Sequence, residues 1–328
     1  MAQRHHYVPE FYQKGFTSEG RVWKYDRRFH SYKRCYPKEN CFEWDLYAVR
    51  PDNGPEDRRI ETHVLSQIDG AAATVIKNIA PGTKLARSEI RDLVAFIGLQ
   101  FTRMPLFFRA VKHVVEANMD EFMRMRFNTV ERAEDALAEL EAHTGETRSI
   151  GATEMREAVI GGRIRAHANE TFLLEQMFDS ANILGLWLER SAWTILVAPQ
   201  ASNFILSDHP FVSIPPQGST FEAVSYGTPG VTTYFPLTKR LCLKVKGGDY
   251  GFRYTNVDSR VVRTVNLNSA SNSERFILAA DRQHLEAVVE RSETRDMEPG
   301  ERFTLEIIHP DENNSFVKFT IKRQRCFY

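Results

Sequence analysis

Four groups of polar side chains could carry chemistry, because imidazole, carboxylate and guanidinium together suit phosphoryl transfer. In chain order they are His5 and His6; Glu61; Gln100 and Arg103; and Ser207, Asp208 and His209. A histidine can move a proton near neutral pH, a carboxylate can hold a divalent metal or orient water, and an arginine can stabilise phosphate charge. If the fold brings these groups together, hydrolysis of a phosphodiester is the reaction they fit best.

Each side chain has a role in this hypothesis. We expect the catalytic residues to be His6, Glu61 and Asp208. We expect the substrate to be bound by His5, Gln100, Arg103 and Ser207. The sequence identifies no metal ligands, although Mg²⁺ or Mn²⁺ is the cofactor that such a hydrolase would take.

Every group also has an ordinary structural explanation. In the His5–His6 pair, one ring would bond the backbone while the other is solvated, and Glu61 would be a favourable charge in a first helical turn. The run Ser207–Pro210 fits an Asx or ST turn at a strand end. Gln100 would bond a neighbouring backbone group, and Arg103 would pair with a structural carboxylate. Both explanations remain open at the level of sequence.

The third group lies at the end of a predicted core helix from Ser88 to Met104. Ser88 is a favourable N-cap residue, and Pro105 should end or kink the helix. The apolar stripe at helical spacing consists of Leu93, Phe96, Ile97 and Met104. Gln100 falls within this stripe and Arg103 beside it, so their donors should find partners in an apolar interior.

Periodicity elsewhere divides the chain into helices first and strands later. A helical block covers about 59–190, with strands before and after it. This pattern predicts an α+β fold, in which the N-terminal hairpin of 1–50 and residues 191–328 form a mixed or mainly antiparallel sheet packed on the helical block. We expect all 328 residues to form a single large domain. Two strands joined by a short turn are predicted at Trp193–Pro199 and Asn203–Pro210.

Composition excludes several classes of protein. The chain has 43 basic and 43 acidic residues, so no global charge attracts nucleic acid or an anionic membrane. A nucleic-acid role therefore needs a local basic patch, for which the candidates are Arg27, Arg28, Lys33 and Arg34. The sequence shows neither an apolar run long enough to span a bilayer nor a signal-peptide core, so we expect no membrane partner. Four scattered cysteines without a Cys-x-x-Cys pair favour a reducing cytoplasm.

The N-terminal stretch His5-His6-Tyr7-Val8-Pro9 has two resemblances. It is similar to the first element of an HNH nuclease, in which a histidine precedes a short strand ending in Val or Ile and Pro. The later candidates for that motif, Asn40 and His63, lie too far along the chain for a compact ββα-metal unit. The chain lacks Gly-x-Ser-x-Gly, P-loop and dinucleotide motifs, so these classes have no support.

The second resemblance is to the bacterial domain-of-unknown-function family 4238, and it covers most of the chain. The matching residues are His5 to Pro9, Phe11-Tyr12, Phe16, Tyr25-Asp26, Glu39-Asn40, Glu61, Leu99-Gln100, Arg103, Pro105, Ser207-Asp208, Pro210 and Phe235-Pro236-Leu237. Asp69 departs from the pattern, since a glutamate is expected there. The resemblance implies no chemistry, because the family's name assigns none.

Two functions from different classes follow. The first is a phosphodiester-cleaving, metal-dependent enzyme, a nuclease in a bacterial defence or mobile-element context that binds nucleic acid. The alternative is a non-catalytic sensor or binding protein whose cleft recognises a small ligand or a partner protein. A contiguous basic rim would favour nucleic acid, whereas a closed neutral cleft with aromatic walls would favour a small ligand. The sequence does not indicate the oligomeric state.

Overall fold

The computed structural model describes residues 2–49, 57–217, 226–248, 250–292, 303–311 and 314–321. Its helices are α1 Glu10–Lys14, α2 Ser66–Asn78, α3 Arg87–Thr102, α4 Pro105–Arg126, α5 Val130–Thr144, α6 Ala152–Ile160, α7 Glu170–Glu189, α8 Ser259–Asn272 and α9 Arg282–Ser292. Its strands are β1 Arg4–His6, β2 Val22–Asp26, β3 Ser31–Cys35, β4 Phe42–Trp44, β5 Ala192–Val197, β6 Leu206–Ser207, β7 Val212–Ile214, β8 Thr232–Pro236, β9 Leu241–Lys246, β10 Gly251–Asn256, β11 Phe276–Ala279, β12 Phe303–Asp311 and β13 Asn314–Ile321. A 3₁₀ turn at Pro37–Glu39 and a π-helical turn at Ile60–Leu65 complete these elements.

The strands form sheets that confirm the predicted α+β class. A five-stranded sheet has the order β10-β5-β9-β8-β7, in which β10 and β5 are parallel and the other pairs antiparallel. A four-stranded antiparallel sheet has the order β3-β2-β11-β6, so the N-terminal hairpin joins a strand from near the end of the chain as predicted. Strands β1 and β4 form a separate antiparallel pair.

The described residues fall into two compact units, and all candidate residues lie in the first. That unit comprises residues up to 108 and 174–292, with the gaps given above. Its core holds the predicted stripe of α3, in which Leu93, Phe96 and Ile97 are fully buried. Tyr12 of α1 lies against it, stacked on Phe235 of β8 at a ring-centroid distance of 5.4 Å. The α3 stripe thus fixes the N-terminal segment against the five-stranded sheet.

The second unit comprises residues 109–173 and 303–321. It contains most of α4, all of α5 and α6, and the β12–β13 hairpin. A small core of its own includes Ala133, Leu137 and Ala152. The Thr129 hydroxyl accepts a hydrogen bond from the Arg132 N–H at 3.2 Å and caps α5.

One local prediction is wrong. Helix α3 begins at Arg87, and Ser88 lies inside it, because the Glu89 carboxylate accepts the Ala86 N–H at 2.7 Å and caps the helix instead. The two strands predicted on either side of a short turn correspond to β5 and β6, which belong to different sheets. Strand β5 lies between β10 and β9, whereas β6 pairs with β11 in the other sheet.

Within the described segments, no single helix is long and apolar enough to cross a membrane. Helices α3 and α4, which are broken at Arg103 and Met104, meet the length and composition criteria when they are taken together as a bent pair. Much of α3 is buried in the core described above.

Candidate functional site

The end of α3 is tied to the N-terminal strand by a buried network. The Gln100 side-chain N–H donates to the Tyr7 carbonyl at 2.8 Å, and the Tyr47 hydroxyl donates to the Arg103 carbonyl at 2.7 Å. The Tyr47 backbone N–H in turn donates to Nδ1 of His5 at 3.0 Å, and the two rings stack at 5.6 Å. These bonds hold the break between α3 and α4 against the strand that carries the two histidines.

Arg103 is the centre of this network, and its guanidinium is directed into the protein. Its Nε and one amino group donate to the Gln100 side-chain oxygen at 3.1 and 2.7 Å, and its other amino group donates to both Asp69 oxygens at 2.9 and 3.1 Å. The residue is 1% exposed. This is the arrangement expected if Gln100 and Arg103 are structural, so their roles in binding substrate stay predictions.

Glu61 lies beside this ion pair, in the π-helical turn that precedes α2. Burial raises the pKa of Glu61 to about 7; the Arg103 charge opposes this shift and the Asp69 charge adds to it. Burial also raises the pKa of Asp69, against the attraction and hydrogen bonds of Arg103. The Arg103 charge therefore acts on the pKa of both carboxyl groups, and a pKa of about 7 leaves Glu61 about half ionised near pH 7.

The π-helical turn explains why Glu61 and Asp69 act on the same guanidinium. In a regular α-helix, two residues eight positions apart point about 80° away from each other. A π turn accommodates an additional residue, which reduces that angle to about 20° and brings both carboxyl groups to one face. The turn spans Ile60–Leu65, between the two carboxylates. Turns of this kind are frequent at functional sites.

His6 lies on the opposite side of β1 from the buried His5, because side chains alternate along a strand. Its Nε2 is 3.3 Å from the Lys38 carbonyl and 3.9 Å from a Glu10 oxygen. Burial lowers the pKa of His6; Glu10 and the Lys38 carbonyl oppose that shift, and Arg103 adds to it. The Arg103 charge therefore acts on the pKa of both His6 and Glu61. The lowered pKa favours the neutral form of His6, which can accept a proton.

Asp208 is held by backbone groups of the segment before β11. Its carboxylate accepts the N–H groups of Glu274, Arg275 and Phe276 at 2.9, 2.6 and 2.8 Å. Burial and the neighbouring Glu274 charge raise the pKa of Asp208 to about 6, in spite of those three bonds. The Ser207 hydroxyl donates to the His209 carbonyl at 2.8 Å, which is a local turn contact. The catalytic role of Asp208 and the substrate contact of Ser207 stay predictions.

A small cavity lies beside both Asp208 and the end of α3. Its lining residues are Tyr7, Met104, Pro105, Leu106, Asp208, His209 and Glu274. Met104 directly follows Arg103. The group that contains Arg103 and the group that contains Asp208 therefore lie around the same break between α3 and α4. Tyr7 joins them, because its carbonyl accepts from Gln100 and its phenol lies close enough to Asp208 for that charge to help raise the pKa of Tyr7, after burial and Cys41.

The four candidates for a basic patch differ in their surroundings. Arg27 donates to the Ser273 hydroxyl and the Ala270 carbonyl at 2.8 and 2.7 Å, so it supports the fold. Arg34 pairs with Glu19 at 2.7 Å. Arg28 and Lys33 are exposed.

Sequence reasoning missed several members of the site. The most informative are Asp69, Tyr47, Tyr7 and Glu274, all of which are identified by tertiary contacts. For Asp69 a signal existed, since it is a carboxylate two turns after Glu61 on a helix with a buried face. Within the described segments, no group of three or more His, Cys, Asp or Glu side chains could hold a metal ion. Mg²⁺ can bind one or two carboxylates together with substrate phosphates, so a Mg²⁺ or Mn²⁺ requirement stays a prediction.

A family model described as Protein of unknown function (DUF4238) matches residues 4–283. The chain belongs to this family. The search of curated proteins and the search of solved structures both returned no match. The match of this DUF4238 chain includes every candidate residue from His5 to His209, which confirms the resemblance found in the sequence. Because the family description names no activity, the function has to be argued from these residues.

Proposed function

We propose that this DUF4238 protein is a hydrolase that cleaves phosphodiester bonds, a nuclease in which Glu61 transfers the proton. One observation carries the proposal: Glu61 has a pKa of about 7 beside the Asp69–Arg103 ion pair. A group that is half ionised at working pH is the most effective general acid or base. Strongly shifted pKa values of this origin cluster at functional sites.

In the proposed reaction, ionised Glu61 accepts a proton from the attacking water as the water oxygen bonds to phosphorus. The bond from phosphorus to the leaving oxygen breaks, and that oxygen takes up a proton that His6 relays to it from solvent. Arg103 acts through Glu61 as a positioning residue, because its charge limits the rise in the pKa of that carboxyl group. Asp69 and Gln100 hold the guanidinium in place through the four bonds given above.

The anionic substrate class is supported by charge around the N-terminal strands. The stretch from Arg27 to Lys38 contains five Lys or Arg residues and no acidic residue. Exposed cations in this part of the chain include Arg4, Arg28, Lys33 and Lys38. Such a local positive surface attracts phosphates although the chain as a whole is neutral.

The experiment is to incubate purified protein with DNA, RNA and nucleotides, with and without Mg²⁺ or Mn²⁺. His6→Ala and Arg103→Lys are tested beside His113→Ala, which removes an exposed histidine of the second unit. We expect the cleavage rate of His6→Ala to fall about 10²–10⁴-fold and that of the control His113→Ala to equal the wild-type rate. We expect Arg103→Lys to lose activity, since the ammonium group of lysine does not reproduce the planar set of N–H donors of a guanidinium. Wild-type rates in both site variants would refute the assignment.

The alternative, a sensor for a small ligand, has weaker support. Ligand pockets usually measure about 300–1,000 Å³, whereas the cavity beside Asp208 measures about 10 Å³, which is room for one water molecule. A well-folded wild type that cleaves none of the substrates would favour this alternative.

The cytoplasmic setting and a role in defence against phage or mobile elements belong to the nuclease proposal. They predict fewer phage plaques on bacteria that express the wild type than on bacteria that express Glu61→Gln.

A further inference from the structure

A strip of cationic and aromatic side chains lies on the outer face of the β1–β4 pair. Arg4 is opposite Trp44 and His6 is opposite Phe42 in this antiparallel register. Since side chains alternate, these four share one face, while His5 and Glu43 belong to the other. We call Arg4, His6, Phe42 and Trp44 the stacking strip.

The members of the stacking strip contact one another continuously. The Arg4 guanidinium lies 4.6 Å from the Phe42 ring centre and 5.4 Å from that of Trp44. The Phe42 ring lies 5.8 Å from Trp44 and 5.7 Å from His6. At its far end, His6 meets the carbonyl of Lys38, whose side chain is exposed. The strip therefore runs from Trp44 to the proposed proton carrier His6.

The stacking strip faces solvent. Trp44 is 57% exposed, Arg4 is exposed, and Phe42 is partly exposed, whereas His5 on the opposite face is fully buried. Arg4 covers one face of each ring, and the exposed part of Trp44 leaves ring surface accessible to a planar group. Glu10 contacts the strip, with a carboxylate oxygen 3.9 Å from Nε2 of His6.

We propose that the stacking strip binds single-stranded nucleic acid, with bases stacked on Trp44 and Phe42 and phosphates beside Arg4 and Lys38. Surfaces that bind single strands combine aromatic rings with cations in this way, and every base offers a face for stacking. In a duplex the bases are already stacked and paired, so the rings gain less. The inference rests on the proposed function only in treating the bound strand as the substrate, because the strip leads to His6.

Binding is tested on the full chain in EDTA by fluorescence anisotropy. The probes are labelled DNA and RNA single strands of about 12 nucleotides, a common site size, and a duplex of equal length. We expect both single strands to bind more tightly than the duplex. We expect Trp44→Ala to weaken single-strand binding roughly 5- to 150-fold. Trp44→Phe should retain most of the affinity, and Tyr250→Ala, the loss of a ring that is 54% exposed elsewhere, should retain all of it.

Two further readouts do not depend on the stability of Trp44→Ala. Tryptophan fluorescence should be quenched when a single strand is added to the wild type, and Trp44→Phe should lose that quenching. Arg4→Ala should reduce the salt dependence of log K by about 0.7, the value for one phosphate on a single strand. Equal affinity for duplex and single strand, or wild-type affinity in Trp44→Ala, would overturn the inference.

Failure of this inference and failure of the proposed function give different results. Strand binding that depends on Trp44, without cleavage of any substrate, would refute the nuclease and support the stacking strip. Cleavage with affinity unchanged in Trp44→Ala would refute the stacking strip and leave the nuclease. A Trp44-dependent dimer that binds no strand would assign the surface to a second copy of the chain and overturn the inference.

Discussion

Arg103 and Asp69, 34 residues apart, form an ion pair in which one guanidinium nitrogen donates to both carboxylate oxygens, at 2.9 and 3.1 Å. The arginine is 1% exposed and the aspartate side chain 21% exposed. Removing one partner of such a pair leaves the other charge desolvated, which commonly lowers stability by about 3–5 kcal/mol. The pair therefore couples the end of α3 to the helix that carries the carboxylates.

We expect Arg103→Met to lower the free energy of unfolding by about 3–5 kcal/mol. The double variant Arg103→Met with Asp69→Leu should lose less than the sum of the two single changes, because neither charge is then left unpaired. Urea denaturation of the four proteins measures this coupling. Additive losses within about 0.5 kcal/mol would show that the two residues are energetically independent.

Glu61 should make the protein less stable at high pH. Burial raises its pKa from an ordinary value of 4.5 to about 7, so the folded state binds more protons than the unfolded state between these values. The free energy of unfolding therefore falls as pH rises from about 4.5 to 7, and the full penalty is present above pH 7.

Glu61→Gln removes that ionisation and nearly preserves the shape of the side chain. We expect it to be more stable than the wild type by about 1–3 kcal/mol at pH 8 and close to it at pH 4. Denaturation curves at the two pH values check this. Equal stability at both would mean that the carboxyl group is not perturbed by burial.

Asp208 allows a direct separation of structure from catalysis. Asp208→Ala leaves three backbone N–H groups without their acceptor and should lower stability by about 2–4 kcal/mol. Asp208→Asn keeps one acceptor oxygen and should be less destabilising. If the role is structural, Asp208→Asn retains cleavage in proportion to its folded fraction. A folded Asp208→Asn that has lost cleavage would instead support the catalytic role predicted from the sequence.

Close packing of α3 on α7 should make Gly98 irreplaceable. A Cβ atom at Gly98 would lie 2.7 Å from the Ala181 carbonyl oxygen, which cannot move without shifting α7. Gly98→Ala should destabilise by about 1–3 kcal/mol. Gly70→Ala is the matched control, since nothing lies within 4 Å of its Cβ position on the exposed side of α2. Gly70→Ala should stabilise the protein by about 0.5–1 kcal/mol. Thermal unfolding of the two variants measures both effects.

Local patterns predicted the core helix and the fold class. The stripe of Leu93, Phe96 and Ile97 and the break at Pro105 are local properties, so α3 could be predicted almost to its ends. The first residue of α3 could not be predicted, because the side chains of Ser88 and Glu89 could each cap the helix. In the structure the Glu89 carboxylate accepts the Ala86 N–H. The hairpin β2–β3 was predicted to join a later strand, although the strand it joins, β11, was not identified.

The chemistry of the site was harder to predict because it depends on tertiary pairing. Glu61 was identified, but the apolar residues around it, Ile60, Val64, Leu65 and Ile68, also fit an α-helix, so the pattern does not indicate a π-helical turn. The partner of Arg103 was expected to be some carboxylate, and the choice of Asp69 follows from how α2 packs on α3. The inward direction of the guanidinium and the three backbone donors to Asp208 likewise follow from packing.

The most direct test of the account is the rate of phosphodiester cleavage against pH in the wild type and in Glu61→Gln, with folding checked by circular dichroism. With Glu61 as general base, the wild-type rate should rise with pH through a midpoint near 7, where this carboxyl group ionises. Glu61→Gln should lose about 10²–10⁴-fold in rate together with that rise. A folded Glu61→Gln that cleaves at the wild-type rate across this range would contradict the central claim.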